Sequence, residues 1–331
     1  MAAIGEFELI ERYFAPLAAD LPGARGLKDD AAVLALPAGE DLVATCDAMV
    51  AGVHFLPDDP PDLVARKLLR VNLSDLAAMG AVPTNYLLAL ALPAPVDEAW
   101  VAGFAAGLAE DQGAFGVVLA GGDTVATPGP PTLALTALGR VAAGQALGRA
   151  GAAPGDGVYV TGTIGDAHLG LAVLQGRLDV AEEPAAWLAD RYRLPQPRLA
   201  LGPALVGVAS AALDVSDGLV ADLGHLCTAS GVGAELDFDA IPMSSAAKLA
   251  LTDSQDMAAS LVAGGDDYEL VFTAPASAAA AIAELAQETR VAIARIGSIT
   301  PQPGVRVRDA AGRPLELADG GYRHFRGDAR R

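Results

Sequence analysis

The sequence predicts an α/β protein in which sheets and helices form layers, organised as two domains. Three observations predict it. The chain has 331 residues, which is enough for two domains. Short apolar runs alternate with helical patterns in its first half. A segment rich in Gly, Ala, Pro and Asp at 148–157 interrupts the pattern. We therefore expect one domain over 1–147 and a second over 148–331.

The N-terminal half is predicted to hold strands at 32–36, 41–46, 86–92, 117–120 and 133–141, each bounded by Pro, Gly or Asp. A helix is expected to begin at Pro61, because proline suits a first helical turn, and to end at Gly80. A second helix is expected after Asp97. It carries apolar side chains one turn apart and ends near Gly113.

The C-terminal half repeats this mixture. The pattern predicts helices at 167–174 and 181–193, a helix after Pro197, and another that opens at 214–218 and runs to Gly231. Strands are expected at 158–161, 269–273 and 292–299, and a hairpin over 305–317 turns at Ala311-Gly312.

The charge composition excludes several classes of function. There are 41 acidic against 22 basic residues, and the formal charge of −19 repels nucleic acid, so no nucleic-acid partner is expected. The uncharged run 76–96 is interrupted by glycine and prolines, so we expect no membrane span. The acidic N-terminus does not suit a signal peptide, which makes the cytoplasm the expected location. Cys46 and Cys227 are expected to stay reduced.

The two commonest nucleotide-binding motifs are missing from the sequence. It contains neither a G-x-x-x-x-G-K-[ST] segment nor a G-x-G-x-x-G segment after a strand. Several acids instead lie in apolar or glycine-rich surroundings, where a solvated surface would not place them. These are Asp29, Asp30, Asp47, Asp123, Asp214, Asp217, Asp266 and Asp267.

Asp75 gives the strongest single inference. In the helix after Pro61, Asn72 and Asp75 fall on the stripe of Val64, Leu68, Val71 and Met79, so both are expected to face the core. A buried carboxylate needs a partner, because an unpaired one costs several kcal/mol or becomes neutral. Arg66 and Arg70 fall on other faces of this helix. The alternative is that Asp75 caps a loop or pairs with an arginine from elsewhere.

Converging acids predict a hard divalent cation. Carboxylate and carbonyl oxygens without His or thiolate clusters select Mg²⁺, Ca²⁺ or Mn²⁺. Asp-Gly and Gly-Gly-Asp turns, and the helix N-terminus after Ser216, suit a phosphate. Ordinary N-capping is the alternative for Ser216 and Asp217.

Seven segments, taken in order, resemble one family. They are Lys-Asp-Asp-Ala-Ala-Val (28–33), Thr-Cys-Asp-Ala-Met-Val-Ala-Gly-Val-His-Phe (45–55), Asn-Leu-Ser-Asp-Leu-Ala-Ala-Met-Gly-Ala (72–81), Gly-Gly-Asp-Thr (121–124), Asp-Val-Ser-Asp-Gly-Leu (214–219), Gly-Gly-Asp-Asp-Tyr-Glu-Leu (264–270) and Gly-Tyr-Arg-His-Phe (321–325). Together they resemble the thiamine-monophosphate kinases of the aminoimidazole-ribonucleotide-synthetase-like ATP-binding superfamily.

The resemblance implies a two-domain α/β fold. Its N-terminal domain binds ATP and metal and pairs sheets across a homodimer, and its C-terminal domain completes the active site. It also implies transfer of the γ-phosphoryl group of ATP, assisted by several Mg²⁺ ions, to thiamine monophosphate, which gives thiamine diphosphate. No residue is expected to act as a general base, because the second pKa of a phosphate monoester is about 6 and the nucleophile is already deprotonated.

The resemblance also implies roles for particular residues. Metal ligands are implied at Asp30, Thr45, Asp47, Asp75, Asp123, Asp214 and Asp217. Contacts to ATP are implied at Gly122, Asp123, Arg149 and Ser216, and contacts to the acceptor at His54, Asp266 and Tyr322. Without the resemblance, Arg149 is equally a linker arginine and His54 a loop histidine. The sequence departs from the family pattern at Asp29, where Gly is expected, at Cys46, where a hydroxyl is usual, and at Asp266, where Glu is usual.

Two other functions stay open. One is another ATP-using member of the superfamily, of the purine-pathway cyclase type; a selenophosphate synthetase is disfavoured because no reactive N-terminal Cys is present. The other is a non-enzymatic acidic protein that binds divalent metals, although the sequence has no EF-hand spacing.

Overall fold

The computed structural model describes residues 6–28, 31–250 and 255–315. Asp29, Asp30 and Tyr322 therefore lie outside the described residues. The chain divides into two compact units. The first comprises residues 1–76 and 81–146, and the second comprises residues 77–80 and 147–331.

The first unit is built around a four-stranded sheet. Its elements are α1 (Glu6–Leu9), β1 (Glu40–Val50), α2 (Pro61–Ala78), β2 (Val82–Pro93), α3 (Glu98–Phe115), β3 (Val118–Thr127) and β4 (Thr132–Ala142), with a π-helical turn (Ile10–Phe14) and two 3₁₀ turns (Ala15–Ala18, Pro22–Leu27) after α1. The strand order is β1-β4-β2-β3. β2 and β3 are parallel, whereas β4 is antiparallel to both β1 and β2.

Local chemistry accounts for the two long helices of this unit. The Asp97 carboxylate accepts from the N–H groups of Ala99 and Trp100 and so caps α3, which ends at Gly116 in the left-handed conformation. Gly107 lets α3 approach α2 closely, because a Cβ there would lie 2.2 Å from the carbonyl oxygen of Asp62. Gly80, with φ of 69°, follows the end of α2 as predicted.

The sequence predicts one apolar stripe on α2, but the buried surface of this helix is wider than that stripe. The helix is buried on nearly every side, and even the side chains of Lys67 and Arg70 are almost fully covered. Burial is possible because the cations are paired: Arg66 and Arg70 both bind the fully buried carboxylate of Asp111, at 3.0 and 2.6 Å from their Nε atoms. Sequence periodicity could not reveal a partner that lies on another helix.

The second unit contains a six-stranded sheet with helices on both faces. Its elements are β5 (Gly157–Thr161), α4 (Asp166–Leu174), α5 (Glu182–Arg193), β6 (Ala211–Asp214), α6 (Leu219–Ser230), β7 (Gly233–Asp237), α7 (Ser245–Ala250), α8 (Gln255–Ala263), β8 (Leu270–Ala274), α9 (Ala279–Thr289), β9 (Ile293–Thr300) and β10 (Gly304–Arg308), with 3₁₀ turns at Pro203–Leu205, Phe238–Ala240 and Ala276–Ala278. The strand order is β10-β7-β9-β5-β8-β6, and within it β10 and β7 are parallel.

Two apolar clusters hold this sheet. On one side α6 contributes Leu219, Leu223 and Leu226 to a core shared with β5 and β6. The other cluster contains Tyr159 and Phe272, whose rings stack at 5.3 Å. The C-terminal end of β6 and the N-terminal end of β8 lie side by side at one edge of this buried sheet. These two strand ends carry the acidic loops described below.

Two sequence predictions about elements are wrong. Residues 32–36 form no strand: Val33 is 62% exposed, and its backbone N–H donates to the carbonyl oxygen of Gly23. Apolar alternation without a neighbouring strand does not make a ladder. No α-helix follows Pro197, where the chain makes turns around Pro203–Leu205. Gly202 and Gly207 favour these turns, and a Cβ at Gly202 would lie 2.2 Å from the carbonyl oxygen of Ala77.

The sequence predicts no membrane span. Among the residues that the structure describes, none of the helices combines the length and the apolar character that crossing a bilayer requires.

Candidate active site

Three of the predicted metal ligands meet in the first unit. Thr45 and Asp47 lie two residues apart on β1, so their side chains share the face of the strand that meets α2. The Thr45 hydroxyl donates to Asp75 Oδ2 at 2.5 Å. The backbone N–H of Asp47 donates to Asn72 Oδ1 at 3.0 Å, and the Asn72 amide in turn donates to the carbonyl of Leu68. One strand and one helix thus present two carboxylates and a hydroxyl together.

The two carboxylates influence each other. Burial raises the pKa of Asp47 to about 6, and the neighbouring Asp75 carboxylate adds to the rise. Asp75 is only half-buried. A pair of acids that is partly deprived of water and mutually repulsive is the donor set that a hard cation stabilises.

This raised pKa predicts a pH dependence of stability. Without metal, the folded-state pKa of Asp47 exceeds its ordinary value of 3.8, so the folded protein binds the proton more tightly than the unfolded chain. The contribution of this group to stability is therefore greatest at low pH and is lost as the pH rises from about 4 to about 6. Urea unfolding in EDTA at pH 5 and pH 7 should show a steeper loss for wild type than for Asp47→Asn. Equal losses in the two proteins would contradict the assignment.

Gly122 and Asp123 lie elsewhere on the same sheet. Asp47 pairs with Leu135, Leu135 with Leu88, and Leu88 with Gly122. Three strand spacings of about 4.8 Å place Gly122 about 14 Å from Asp47. Asp123 is exposed, and its carboxylate accepts from the N–H of Thr124. Within the first unit, Asp123 is therefore not part of the Asp47–Asp75 pair.

Gly122 and Asp123 line a cavity of about 460 Å³. Its other walls are mostly apolar side chains from β2 and from residues 10–34, including Phe14, Leu27 and Leu90. Glycine is required at 122, because a Cβ there would lie 1.9 Å from the carbonyl oxygen of Leu88. The Gly-Gly-Asp-Thr motif thus forms the polar side of a largely apolar cavity.

In the second unit, the two acidic motifs form one double loop. The loop over 214–218 follows β6, and the loop over 264–269 precedes β8. Backbone bonds join them from Val215 N to Glu269 O, from Tyr268 N to Val215 O and from Asp266 N to Ser216 O, each 2.8 Å long. Gly265 permits this contact, since a Cβ there would lie 2.3 Å from the carbonyl oxygen of Ser216. Ser216, Asp217 and Asp266 are half-buried along this double loop.

Three buried acids anchor the double loop from beneath. Asp222 Oδ2 accepts from the N–H groups of Ser216, Asp217 and Gly218, each at 3.0 Å. Burial, with Asp217 nearby, raises the pKa of Asp222 to about 7, although these three N–H groups lower it. Asp267 accepts from Gly165 N at 2.7 Å and from Ala167 N at 3.3 Å, at the start of α4. Glu269 binds two arginines. Asp267 and Glu269 are therefore structural, and Asp266 is the acid of this motif that reaches the surface.

Ordinary N-capping by Ser216 or Asp217 is not what the structure shows. α6 begins after Gly218 without a capping bond from a side chain. The N–H groups of residues 216–218 are bound to Asp222, and the expectation that the N-terminus of α6 holds a phosphate stays a prediction. Sequence reasoning missed Asp222. The available signal was an acid four residues after Gly218 in an otherwise apolar first turn of the helix.

The other predicted residues lie at or next to the ends of strands, or between β4 and β5. His54 is half-buried in the turn after β1, where its Nδ1 accepts from Val50 N at 3.0 Å. Asp214 is buried at the end of β6, and Arg149 is exposed. Cys46 is exposed on β1, whereas burial raises the pKa of the Cys227 thiol to about 11. Across residues 6–28, 31–250 and 255–315, no three His, Cys, Asp or Glu side chains are grouped to hold a metal ion.

The fold and both acidic sites define a class of protein. Residues 28–141 match the description AIR synthase related protein, N-terminal domain, and residues 153–310 match its C-terminal domain. The chain thus has the two-domain architecture of the AIR synthase related proteins, as predicted.

Comparison with individual proteins narrows the class. The chain is 47% identical to the thiamine-monophosphate kinase of Salmonella typhimurium (strain LT2) over 328 residues, which cover 98% of this chain and 99% of that one. The crystal structure of thiamine-monophosphate kinase from Stenotrophomonas maltophilia K279a is 41% identical, with a TM-score of 0.83 over 92% of this chain and 96% of that chain. AaThiL complexed with AMPPCP and TMP is 29% identical, with a TM-score of 0.76 over 97% of each chain. The chain belongs to the thiamine-monophosphate kinase family.

Proposed function

We infer that this chain is a thiamine-monophosphate kinase, which transfers the γ-phosphoryl group of ATP to thiamine monophosphate and forms thiamine diphosphate. The observation that carries this inference is the full-length similarity to enzymes of that name. The related AaThiL complex, with AMPPCP and TMP bound, supports an ATP-like nucleotide as the donor and thiamine monophosphate as the acceptor.

We propose that Mg²⁺ ions assist the transfer. Such an ion fits the group formed by Thr45, Asp47 and Asp75, because this group brings together two carboxylates and a hydroxyl. The Asp47 carboxylate has a raised pKa, so a cation beside it would stabilise its charged form. The further predicted ligands are Asp30, Asp123, Asp214 and Asp217. A bound Mg²⁺ would neutralise triphosphate charge and fix the reacting geometry. The protein itself holds these two acids in place. Asn72 accepts a bond from the backbone N–H of Asp47, and the Thr45 hydroxyl donates to the Asp75 carboxylate.

The proposed ATP contacts are Gly122, Asp123, Arg149 and Ser216. The cavity beside Gly122 supports this assignment, since its apolar walls and one polar side suit a nucleobase and its ribose. Arg149 would add a charge-assisted contact to a phosphate. These assignments, and the roles expected for the domains at 1–147 and 148–331, stay predictions.

The proposed acceptor contacts are His54, Asp266 and Tyr322. The acceptor carries a cationic thiazolium ring, so an aromatic face at Tyr322 and a carboxylate at Asp266 would both stabilise it. Its phosphate is largely deprotonated near neutral pH, because its second pKa is about 6. We therefore propose direct in-line attack on the γ-phosphorus with no general base.

Incubation of the purified protein with ATP, Mg²⁺ and thiamine monophosphate tests the function. Thiamine diphosphate should form, and omission of either ATP or Mg²⁺ should abolish it. A folded sample that yields none at any Mg²⁺ concentration would refute the kinase. A superfamily cyclase would instead turn over a purine precursor. A non-enzymatic metal protein would bind Mg²⁺ or Ca²⁺ tightly without ATP in calorimetry, whereas for the kinase nucleotide and metal should strengthen each other's binding.

We propose that the first unit pairs its sheet with that of a second copy to form a homodimer. The face of the sheet opposite α2 carries exposed apolar or small side chains in adjacent rows, including Leu42, Ala44, Cys46 and Leu87. Exposed apolar side chains that are grouped on one sheet face mark an interaction surface. The cytoplasmic location expected from the sequence stays a prediction.

Ala44→Arg tests the dimer, because it places a charge on the exposed sheet face. Light scattering after size-exclusion chromatography should report a dimer for wild type and a monomer for the variant. Ala106→Arg, on the exposed side of α3, is the matched control and should remain a dimer. A monomeric wild type, or a dimeric Ala44→Arg, would contradict this interface.

A further inference from the structure

The loop that carries Asp266 has an unusual backbone. Asp266 and Tyr268 both adopt positive φ, at 71° and 50°, in the left-handed region that non-glycine residues seldom occupy. Such conformations persist only where surrounding contacts over-determine them, and they cluster at functional sites. The residues that enforce this backbone therefore also set the position of the Asp266 carboxylate.

Among the residues that hold this loop, Glu269 makes the strongest contacts. It is fully buried at the end of the loop. Arg198 binds it through two atoms, with Nε at 2.6 Å from Oε2 and Nη2 at 2.5 Å from Oε1. Arg191 adds a third bond at 2.9 Å, and the Thr161 hydroxyl donates to Oε2 at 2.6 Å. Four charge-assisted bonds to one carboxylate fix its position tightly.

Neighbouring residues are adapted to this arrangement. Gly162 leaves room for it, since a Cβ there would lie 2.1 Å from Glu269 Oε1 and 2.6 Å from Arg198 Nη2. The Thr161 hydroxyl also accepts from Leu270 N, which ties the carboxylate to the first residue of β8. The other loop, over 214–218, is held separately by Asp222. Each half of the double loop thus has its own side-chain anchor, and the backbone bonds described above join the two halves.

We propose that Arg198, acting with Arg191 through Glu269, is a positioning residue. It holds the loop over 264–269 in the conformation that presents Asp266 to the acceptor. This inference rests on the proposed kinase function. It predicts a selective defect: weakening the Glu269 anchor impairs use of thiamine monophosphate more than use of ATP. The ATP-assigned Ser216 has its own bond to Asp222 and meets the Asp266 loop through a backbone bond to its carbonyl, so it should be displaced less than Asp266 itself.

Arg198→Met tests the proposal. Arg198 is the more accessible of the two arginines, with 20% of its side chain exposed, and its loss leaves Arg191 and Thr161 on Glu269. The KM for thiamine monophosphate should rise about tenfold, as expected for loss of charge-assisted bonds to a buried group. The KM for ATP should stay within about twofold of wild type. Arg198→Lys, which keeps the charge but not the fork of donors, should recover only part of the loss.

Arg313→Met is the matched control, because it removes an exposed arginine that pairs with Asp309 in the same unit. It should leave both KM values unchanged. A folded Arg198→Met with an unchanged KM for thiamine monophosphate, or with equal rises in both KM values, would overturn the proposal. If Arg198→Met does not fold, Arg198→Lys decides: its KM for thiamine monophosphate must rise at least about twofold. A wild type that forms no thiamine diphosphate would refute the kinase function, and the positioning role with it.

Discussion

Asp75→Asn is expected to lower kcat about a thousandfold while the protein stays folded, since a lost metal contact is worth several kcal/mol of transition-state stabilisation. Asparagine keeps an oxygen that can accept from Thr45, so the bond between β1 and α2 survives. It removes the negative charge that, together with Asp47, forms the proposed cation site. The measurement is thiamine diphosphate formation at saturating substrates over a Mg²⁺ titration, with circular dichroism to confirm the fold.

The control for this prediction is Asp58→Asn, which removes the same charge from an exposed loop just before α2. Its kcat should stay within about twofold of wild type, since exposed charges contribute little. Activity of Asp75→Asn near that of wild type would show that Asp75 holds no catalytic metal.

Gly122→Ala is expected to have the second-largest effect. The new methyl would lie 1.9 Å from the Leu88 carbonyl oxygen and 2.9 Å from its carbon, so β3 must move away from β2. Backbone shifts of this kind cost about 1–3 kcal/mol. The displaced strand carries Asp123 and one wall of the cavity, so the KM for ATP should also rise, by about tenfold if about 1.4 kcal/mol of that strain appears in binding.

Gly121→Ala is a closely matched comparison, because its Cβ would meet Leu87 Cδ2 at an ordinary 3.5 Å. Its free energy of unfolding should stay within about 0.5 kcal/mol of wild type. Urea denaturation of both variants, with ATP titrations, makes the comparison. Equal stability of the two variants would contradict the close approach of β3 to β2.

The sequence predicted most elements of the fold because their signals are local. Asp97 and Gly80 mark helix ends through capping and left-handed geometry, and the structure confirms both. The run 32–36 shows where local signals fail. It has a strand-like composition, but a strand exists only when a neighbour supplies hydrogen bonds, and Val33 bonds to a turn instead. Helices α7 to α9, whose segments are rich in alanine, were not predicted.

The site was predictable to the extent that periodicity places side chains. Asp75 was expected on the buried side of its helix, and the structure pairs it with Thr45 of β1. The partner itself could not be predicted, because it comes from a strand 30 residues away in sequence. The second unit shows a further limit. Asp266, Asp267 and Glu269 look alike in sequence, yet only contacts from α4 and α5 show that the last two are anchors.

Transfer of label from [γ-³²P]ATP, with enzyme in excess over ATP, tests the central claim most directly. In the presence of Mg²⁺ and thiamine monophosphate, the label should appear in thiamine diphosphate, with none on the protein and none released as inorganic phosphate. Without Mg²⁺ the label should stay in ATP. Label that accumulates on the protein or in inorganic phosphate, or transfer that continues without a divalent cation, would contradict direct, metal-assisted phosphorylation by this chain.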